Sequence, residues 1–113
     1  MKTILIDTRN KAVTEIEIDG GLKSIYDALD VRMIETATYL PNGDAVYVDE
    51  EGMMGLDKDS GFFDIGAHQP FAGNGLVIGT NHTTGDSVGC KSTVEEIRKQ
   101  VKFRSLFEVI GLG

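Results

Sequence analysis

The turn Pro41-Asn42-Gly43 constrains this chain more than any other feature. Proline fixes its own φ for a reversal and glycine takes up backbone angles that other residues avoid, so the chain turns back on itself there. On one side lies Val31 to Leu40, a run with β-branched and aromatic residues, and on the other Ala45-Val46-Tyr47-Val48. Two strand-forming segments around such a turn predict an antiparallel hairpin. An isolated hairpin is marginal in water, so further strands must extend it.

The sequence supplies them. Ile4-Leu5-Ile6, the turn Asp7-Thr8-Arg9-Asn10 and the alternating segment Val13 to Ile18 predict a second hairpin. Its alternation slips by one near Val13, which points either to a bulge or to a strand starting at Thr14 with Ile16 and Ile18 facing inward. After Asp19-Gly20-Gly21, the residues Leu22, Ile25, Tyr26 and Leu29 fall at the spacing of one helix face. Gly61 to Gly66 and Leu76 to Gly79 predict two more strands, separated by a turn-rich loop. Met53 to Ser60 reads as a loop or single helical turn, and Thr80 to Lys91 as a mobile polar stretch. Ser92-Thr93-Val94-Glu95-Glu96 offers two overlapping capping boxes for a second helix, with Val94, Ile97 and Val101 as its apolar stripe. Lys102 to Ile110 alternates like a terminal strand, with continued helix as the other reading. The expected fold is α+β, mainly an antiparallel sheet of about five to seven strands with two short helices, in a single domain over residues 1–113.

The 41% hydrophobic and 26% charged content suits a globular domain. No apolar run approaches the roughly 18 residues of a membrane span, and the N-terminal Ile4-Leu5-Ile6 stops at Asp7, well short of a signal-peptide core. A single cysteine, Cys90, forms no intrachain disulfide and agrees with a reducing compartment, so the expected location is cytoplasmic. The net charge of −7 argues against direct nucleic-acid binding, which needs clustered Lys and Arg. From Asp44 to Asp64 seven acids face Lys58 alone, a local balance of −6. Most of the excess negative charge is concentrated there, and such a field can steer a partner or imitate nucleic acid.

Motifs with chemistry attached read more plainly as structure. Gly73-Asn74-Gly75 precedes an apolar strand-like run rather than the helix a dinucleotide fingerprint needs. Asp57-Lys58-Asp59-Ser60-Gly61 opens like a calcium loop, but its glycine comes one position early and no glutamate closes it. His68, His82 and Cys90 match no zinc spacing. Only Cys90 with a histidine, or the carboxylates Asp49, Glu50 and Glu51, can be nominated for catalysis. On a strand, Asp49 and Glu51 would share a side while Glu50 points away. No catalytic, metal or cofactor site is expected.

The strings Ile6-Asp7-Thr8, Val13-Thr14-Glu15-Ile16, Asp44-Ala45-Val46-Tyr47-Val48-Asp49-Glu50-Glu51-Gly52 and Gln69-Pro70-Phe71-Ala72-Gly73-Asn74-Gly75-Leu76-Val77-Ile78-Gly79-Thr80 resemble a small domain family of unknown function found in bacteriophages and other mobile elements. The likeness runs from about Ile4 to Val101 and implies a genomic setting in a bacterial host cell, not an activity. Within the shared pattern Gly73, Gly75 and Gly79 fit turns, while Val46, Val48, Leu76 and Ile78 fit a core. Gln69 and Asn74 fit either recognition or bracing of their own loop, bracing being the favoured reading.

The leading expectation is therefore a phage-type or mobile-element accessory protein that binds a host or phage protein through an acidic surface, nucleic-acid mimicry being one form of this. Asp49, Glu50, Glu51, Gln69 and Asn74 are its candidate contacts. The second expectation is a binder that sequesters a small molecule or nucleotide between subunits, marked by a deep pocket lined by Gln69, Asn74 and a basic residue such as Arg98 or Arg104. The third is an enzyme using Asp49 to Glu51 or Cys90. The apolar segment after Val101 would pack on its own sheet or on a second copy, making a homodimer.

Overall fold

The structure, a computed structural model, describes residues 1–56, 60–66 and 69–111. Among the described residues there are nine strands and three helices: β1 (Lys2–Asp7), β2 (Ala12–Glu17), α1 (Leu22–Leu29), β3 (Ile34–Tyr39), β4 (Ala45–Asp49), β5 (Gly61–Ile65), β6 (Phe71–Ala72), β7 (Gly75–Thr80), β8 (Ser87–Val88), α2 (Val94–Gln100), β9 (Val101–Ser105) and α3 (Leu106–Val109). The fold is α+β and dominated by antiparallel sheet. Two of the strands beyond the expected number, β6 and β8, have two residues each, too short to leave a period in the sequence.

The hairpin around Pro41 forms as expected. Leu40 N–H donates to the Asp44 carbonyl at 2.8 Å, Gly43 N–H donates to the Leu40 carbonyl at 2.9 Å, and Gly43 takes φ +93°. This is a three-residue connection whose glycine relieves the strain of the last turn position. β3 and β4 pair from Ile34↔Asp49 to Tyr39↔Ala45, with a register shift between Thr36 and Thr38.

The hairpin β3–β4 joins the hairpin β1–β2 through β7, giving the order β2-β1-β7-β4-β3 with β8 on β7. A smaller sheet, β6-β5-β9, covers one face. On that side Ile4 and Ile6 of β1, Val46 and Val48 of β4, and Val77 of β7 meet Phe63 and Ile65 of β5 and Ile97 of α2. On the other side Ala45, Leu76 and Ile78 meet Ile25 and Leu29 of α1. The central strand β7 is consequently buried on both faces, which is why Gly75 to Thr80 reads as a continuous apolar run rather than an alternating one.

This two-sided cover explains the slip in β2. Its register with β1 runs unbroken from Lys2↔Glu17 to Asp7↔Ala12, so there is no bulge. Val13 packs into the cluster under the small sheet and Ile16 into the cluster under α1, so the strand serves opposite faces at its two ends.

Several local expectations need correction. Leu22, placed on the apolar face of α1 by spacing, is 59% exposed, and of that face only Ile25 and Leu29 are buried. Gly75 and Gly79 are not turn glycines. They lie within β7, where a Cβ on Gly75 would sit 2.6 Å from the Phe63 ring and one on Gly79 would run into the Gly89 carbonyl oxygen. Close approach requires these glycines, whereas Gly73, at φ +81°, does make a turn. The polar stretch Thr80 to Lys91 is pinned rather than loose: Thr80 pairs with Ser87, Asn81 N–H donates to the Asp86 carbonyl at 2.8 Å, and Cys90 N–H donates to the Lys2 carbonyl at 2.9 Å.

Of the two capping boxes the helix α2 uses Thr93 with Glu96. The segment after Val101 is neither one strand nor continued helix. β9 pairs with β5 from Val101↔Ile65 to Ser105↔Gly61, and then Ser105 and Glu108 form a second capping box that turns the chain into α3. Part of the segment thus packs on its own sheet, while Phe107 and Ile110 remain exposed.

Candidate functional site

Sheet register assembles the site. Gly75 of β7 pairs with Ile6 of β1 on one side and with Val48 of β4 on the other. One step further along, Asn74 stands between Asp7, the last residue of β1, and Asp49, the last of β4. The helix α1 ends at this same edge, where Asp30 takes the left-handed conformation at φ +55°. These four residues, with Thr8, Arg9 and Asn10 of the β1–β2 turn, line an open polar cleft of about 940 Å³.

Several polar groups there have a defined local duty. The Asn74 side-chain oxygen accepts from Thr8 N–H at 2.9 Å and from the Thr8 hydroxyl at 3.1 Å, so it ties the start of β7 to the β1–β2 turn. Asp7 accepts from Asn10 N–H at 3.1 Å and from the Asn10 amide at 2.8 Å. The Asn10 side-chain hydrogen bond is the main reason the Asp7 carboxyl lies below its ordinary range. Asp49 accepts from Glu51 N–H at 2.8 Å, a turn closed by a carboxylate. β4 ends at Asp49, so the strand alternation expected to set the directions of Glu50 and Glu51 does not operate: both lie in the following turn. Glu51 pairs with Arg32, whose NH2 group lies 3.2 and 2.9 Å from its two carboxylate oxygens, and Glu50 is exposed.

The expected contacts are thus partly brought together. Asp49 and Asn74 share the cleft, Glu51 lines the hollow beside it, and Glu50 stands on the adjoining turn. Gln69 lines neither; it is exposed and makes no hydrogen bond among the described residues. Among the described residues of one chain, neither the cleft nor the hollow brings Gln69, Arg98 or Arg104 to Asn74. Arg98 donates to the Val13 carbonyl and pairs with Glu95, and Arg104 pairs with Asp64, away from Asn74.

The acidic stretch from Asp44 to Asp64 is less available than its charge suggests. Asp44 is 1% exposed; its carboxylate accepts from Lys91 N–H at 3.0 Å, Ser92 N–H at 2.8 Å and the Ser92 hydroxyl at 2.7 Å. Glu51 and Asp64 are matched with arginines. Asp57, Lys58 and Asp59 of the calcium-like opening lie outside the described residues, as does His68. The sequence reading missed Asp7 and Asp30 as cleft residues. Asp7 precedes a turn and Asp30 ends a helix, so their only signal was position at an element end.

Of the remaining nominees for chemistry, His82 and Cys90 each have a partner of their own. His82 Nε2 lies 3.0 Å from the Gly43 carbonyl oxygen and its ring packs on Tyr39. Cys90 is buried, which pushes its thiol above the ordinary value, and its Sγ lies 3.6 Å from the Ser92 carbonyl. Among the described residues no three His, Cys, Asp or Glu side chains gather as metal ligands, and no helix is long and apolar enough to cross a membrane.

Comparison with known proteins finds no match among curated proteins or solved structures. The model of one family does match, over residues 1–102, and it ends within β9. The chain belongs to the family described as the domain of unknown function DUF3846.

Proposed function

We propose that the protein acts by binding a protein partner through the acidic sheet edge formed by Asp7, Asp30 and Asp49 and the turn that carries Glu50. The observation that carries this reading is the convergence of Asp49 and Asn74, from separate parts of the sequence, on one open cleft beside further carboxylates. A protein surface suits such an edge better than a small ligand does, since the cleft is open and polar and its asparagine is committed to holding Thr8. Nucleic-acid mimicry is the weaker form of the reading, because Asp44 is buried and Glu51 and Asp64 are neutralised by arginines. The setting we attach to it is the cytosol of a bacterial host carrying a phage or mobile element.

Zero-length carbodiimide cross-linking in bacterial lysate, followed by peptide mapping, tests the reading. Cross-links from Asp49 or Glu50 to lysines of one protein are expected, with loss of that product in the Asp49→Lys/Glu50→Lys variant. Cross-links scattered over the whole surface, or unchanged by the charge reversal, would overturn it.

A further inference from the structure

Three of the chain's four methionines crowd the two connections beside the acidic edge. Met33 is 47% exposed, Met53 63% and Met54 71%. The Met33 carbonyl accepts from Glu50 N–H at 3.1 Å, and the Arg32–Glu51 ion pair at 2.9 Å fastens the same two segments, so the α1–β3 connection and the turn after β4 form one surface. Met54 lines a hollow of about 340 Å³ together with Asp30 and Asp49. Methionine is ordinarily an interior residue, and apolar side chains exposed together mark an interaction site. Its unbranched, polarisable thioether adapts to varied apolar partners. Asp30, Asp49 and Glu51 line that hollow with Met54, and among the described residues the one base lining it, Arg32, is already matched by Glu51.

We infer that this surface docks a basic amphipathic segment of the partner protein, with an apolar side chain seated among Met33, Met53 and Met54 and lysines or arginines against Asp49 and Glu50. The inference rests on the protein-binding reading above and narrows the partner's chemistry. Charge selects the occupant: an anionic membrane surface is repelled by the same carboxylates that attract a basic segment. An added β-strand is a poorer fit, because the register shift between Thr36 and Thr38 interrupts β3, the edge strand beside the surface. Side chains, not a backbone ladder, carry the contact.

The probe is a helical model peptide of lysines and leucines, titrated into the full chain labelled with ¹³C at the methionine methyls. A peptide with serine in place of every leucine controls for charge alone. Met1 is an internal reference, since it packs in the cluster under α1. Saturable shifts of the Met33, Met53 and Met54 resonances are expected with the lysine–leucine peptide, with Met1 unmoved. Affinity should fall at least about 10-fold between roughly 50 and 500 mM salt as the charges are screened. A fall of at least about 10-fold is also expected in Met53→Ser/Met54→Ser and in Asp49→Asn/Glu50→Gln, each checked for fold by circular dichroism. Unmoved methionines, or equal shifts with the serine peptide, overturn the inference. If they stay unmoved while Asp49 or Glu50 still cross-links specifically to a protein, only the basic-amphipathic partner falls; failure of both results removes the acidic-edge reading as well.

Discussion

Replacing Asp44 with alanine should be among the most damaging single changes in this protein, and the cost can be worked from its surroundings. Asp44 follows the hairpin turn and receives three donors, Lys91 N–H, Ser92 N–H and the Ser92 hydroxyl, while the Asn42 amide donates to that hydroxyl at 2.9 Å. No cation lies within ion-pair distance of it among the described residues, so these dipoles alone balance the charge. In Asp44→Ala the Lys91 N–H can turn to water. The Ser92 N–H is buried and left without an acceptor, which by itself costs about 1–3 kcal/mol. Adding the lost charge-assisted bonds brings the total to about 3 kcal/mol. For a chain of 113 residues that is a fall in Tm of about 12 °C.

Two further variants locate the source of the loss. Asp44→Asn keeps one acceptor oxygen but turns an amide toward the Lys91 N–H, and should lose about 1–2 kcal/mol. Ser92→Ala removes one donor and should lose about 1 kcal/mol. Because both ends of one bond are removed, Asp44→Ala/Ser92→Ala should cost less than the sum of its singles by at least about 0.5 kcal/mol. Urea unfolding followed by circular dichroism, with the slope checked for constancy, measures all four proteins. A loss below about 1 kcal/mol in Asp44→Ala, or strict additivity in the double variant, would refute the assignment of Asp44 as the bolt between the β3–β4 turn and the approach to α2.

The remaining predictions concern Asn74 and Cys90. Asn74→Ala strips Thr8 of the acceptor for its N–H and hydroxyl and should destabilise by about 1–2 kcal/mol in urea, whereas a purely recognitive asparagine would leave stability unchanged. The buried Cys90 thiol should resist iodoacetamide at pH 8 in the native protein and react at least about 100-fold faster in urea; equal rates would contradict its burial. Its raised pKa means that the folded state holds this proton more tightly than the unfolded state does. The contribution is therefore fully present below the ordinary thiol value near 9.0 and is lost as pH climbs through the folded value. The urea midpoint should fall less steeply above that pH in Cys90→Ala than in the parent protein.

What could be read in the sequence followed from rules that act over a few residues. The Pro41-Asn42-Gly43 hairpin, the helix over Leu22–Leu29 and the capping box before α2 each depend on local geometry, and each formed. The second capping box, Ser105 to Glu108, obeys the same rule and was legible in principle. It was masked because Phe103, Ser105, Phe107 and Val109 alternate like a strand. Where an expectation failed, a distant neighbour decided the matter. Gly75 and Gly79 look like turn formers until the Phe63 ring and the Gly89 carbonyl are placed against them. The slip in β2 looks like a bulge until both faces of the sheet are covered.

Charge is least legible, because an acid's role depends on what reaches it rather than on what precedes it. Asp44 precedes β4 and Asp49 ends it, and both belong to the same acidic run. One is buried under three donors from the approach to α2, and the other closes a surface turn at the mouth of the cleft. Neither β-propensity nor spacing separates them. What does is the sheet order: β7, lying between β1 and β4, brings Asp7, Asn74 and Asp49 to one edge, while the opposite end of β4 meets the segment that enters α2. Local charge density therefore overstates how much of the acidic run stands free at the surface. The surface proposed above is accordingly smaller than that run, centred on Asp49 and Glu50, and the exposed methionines it adds are ones that the charge count could not reveal.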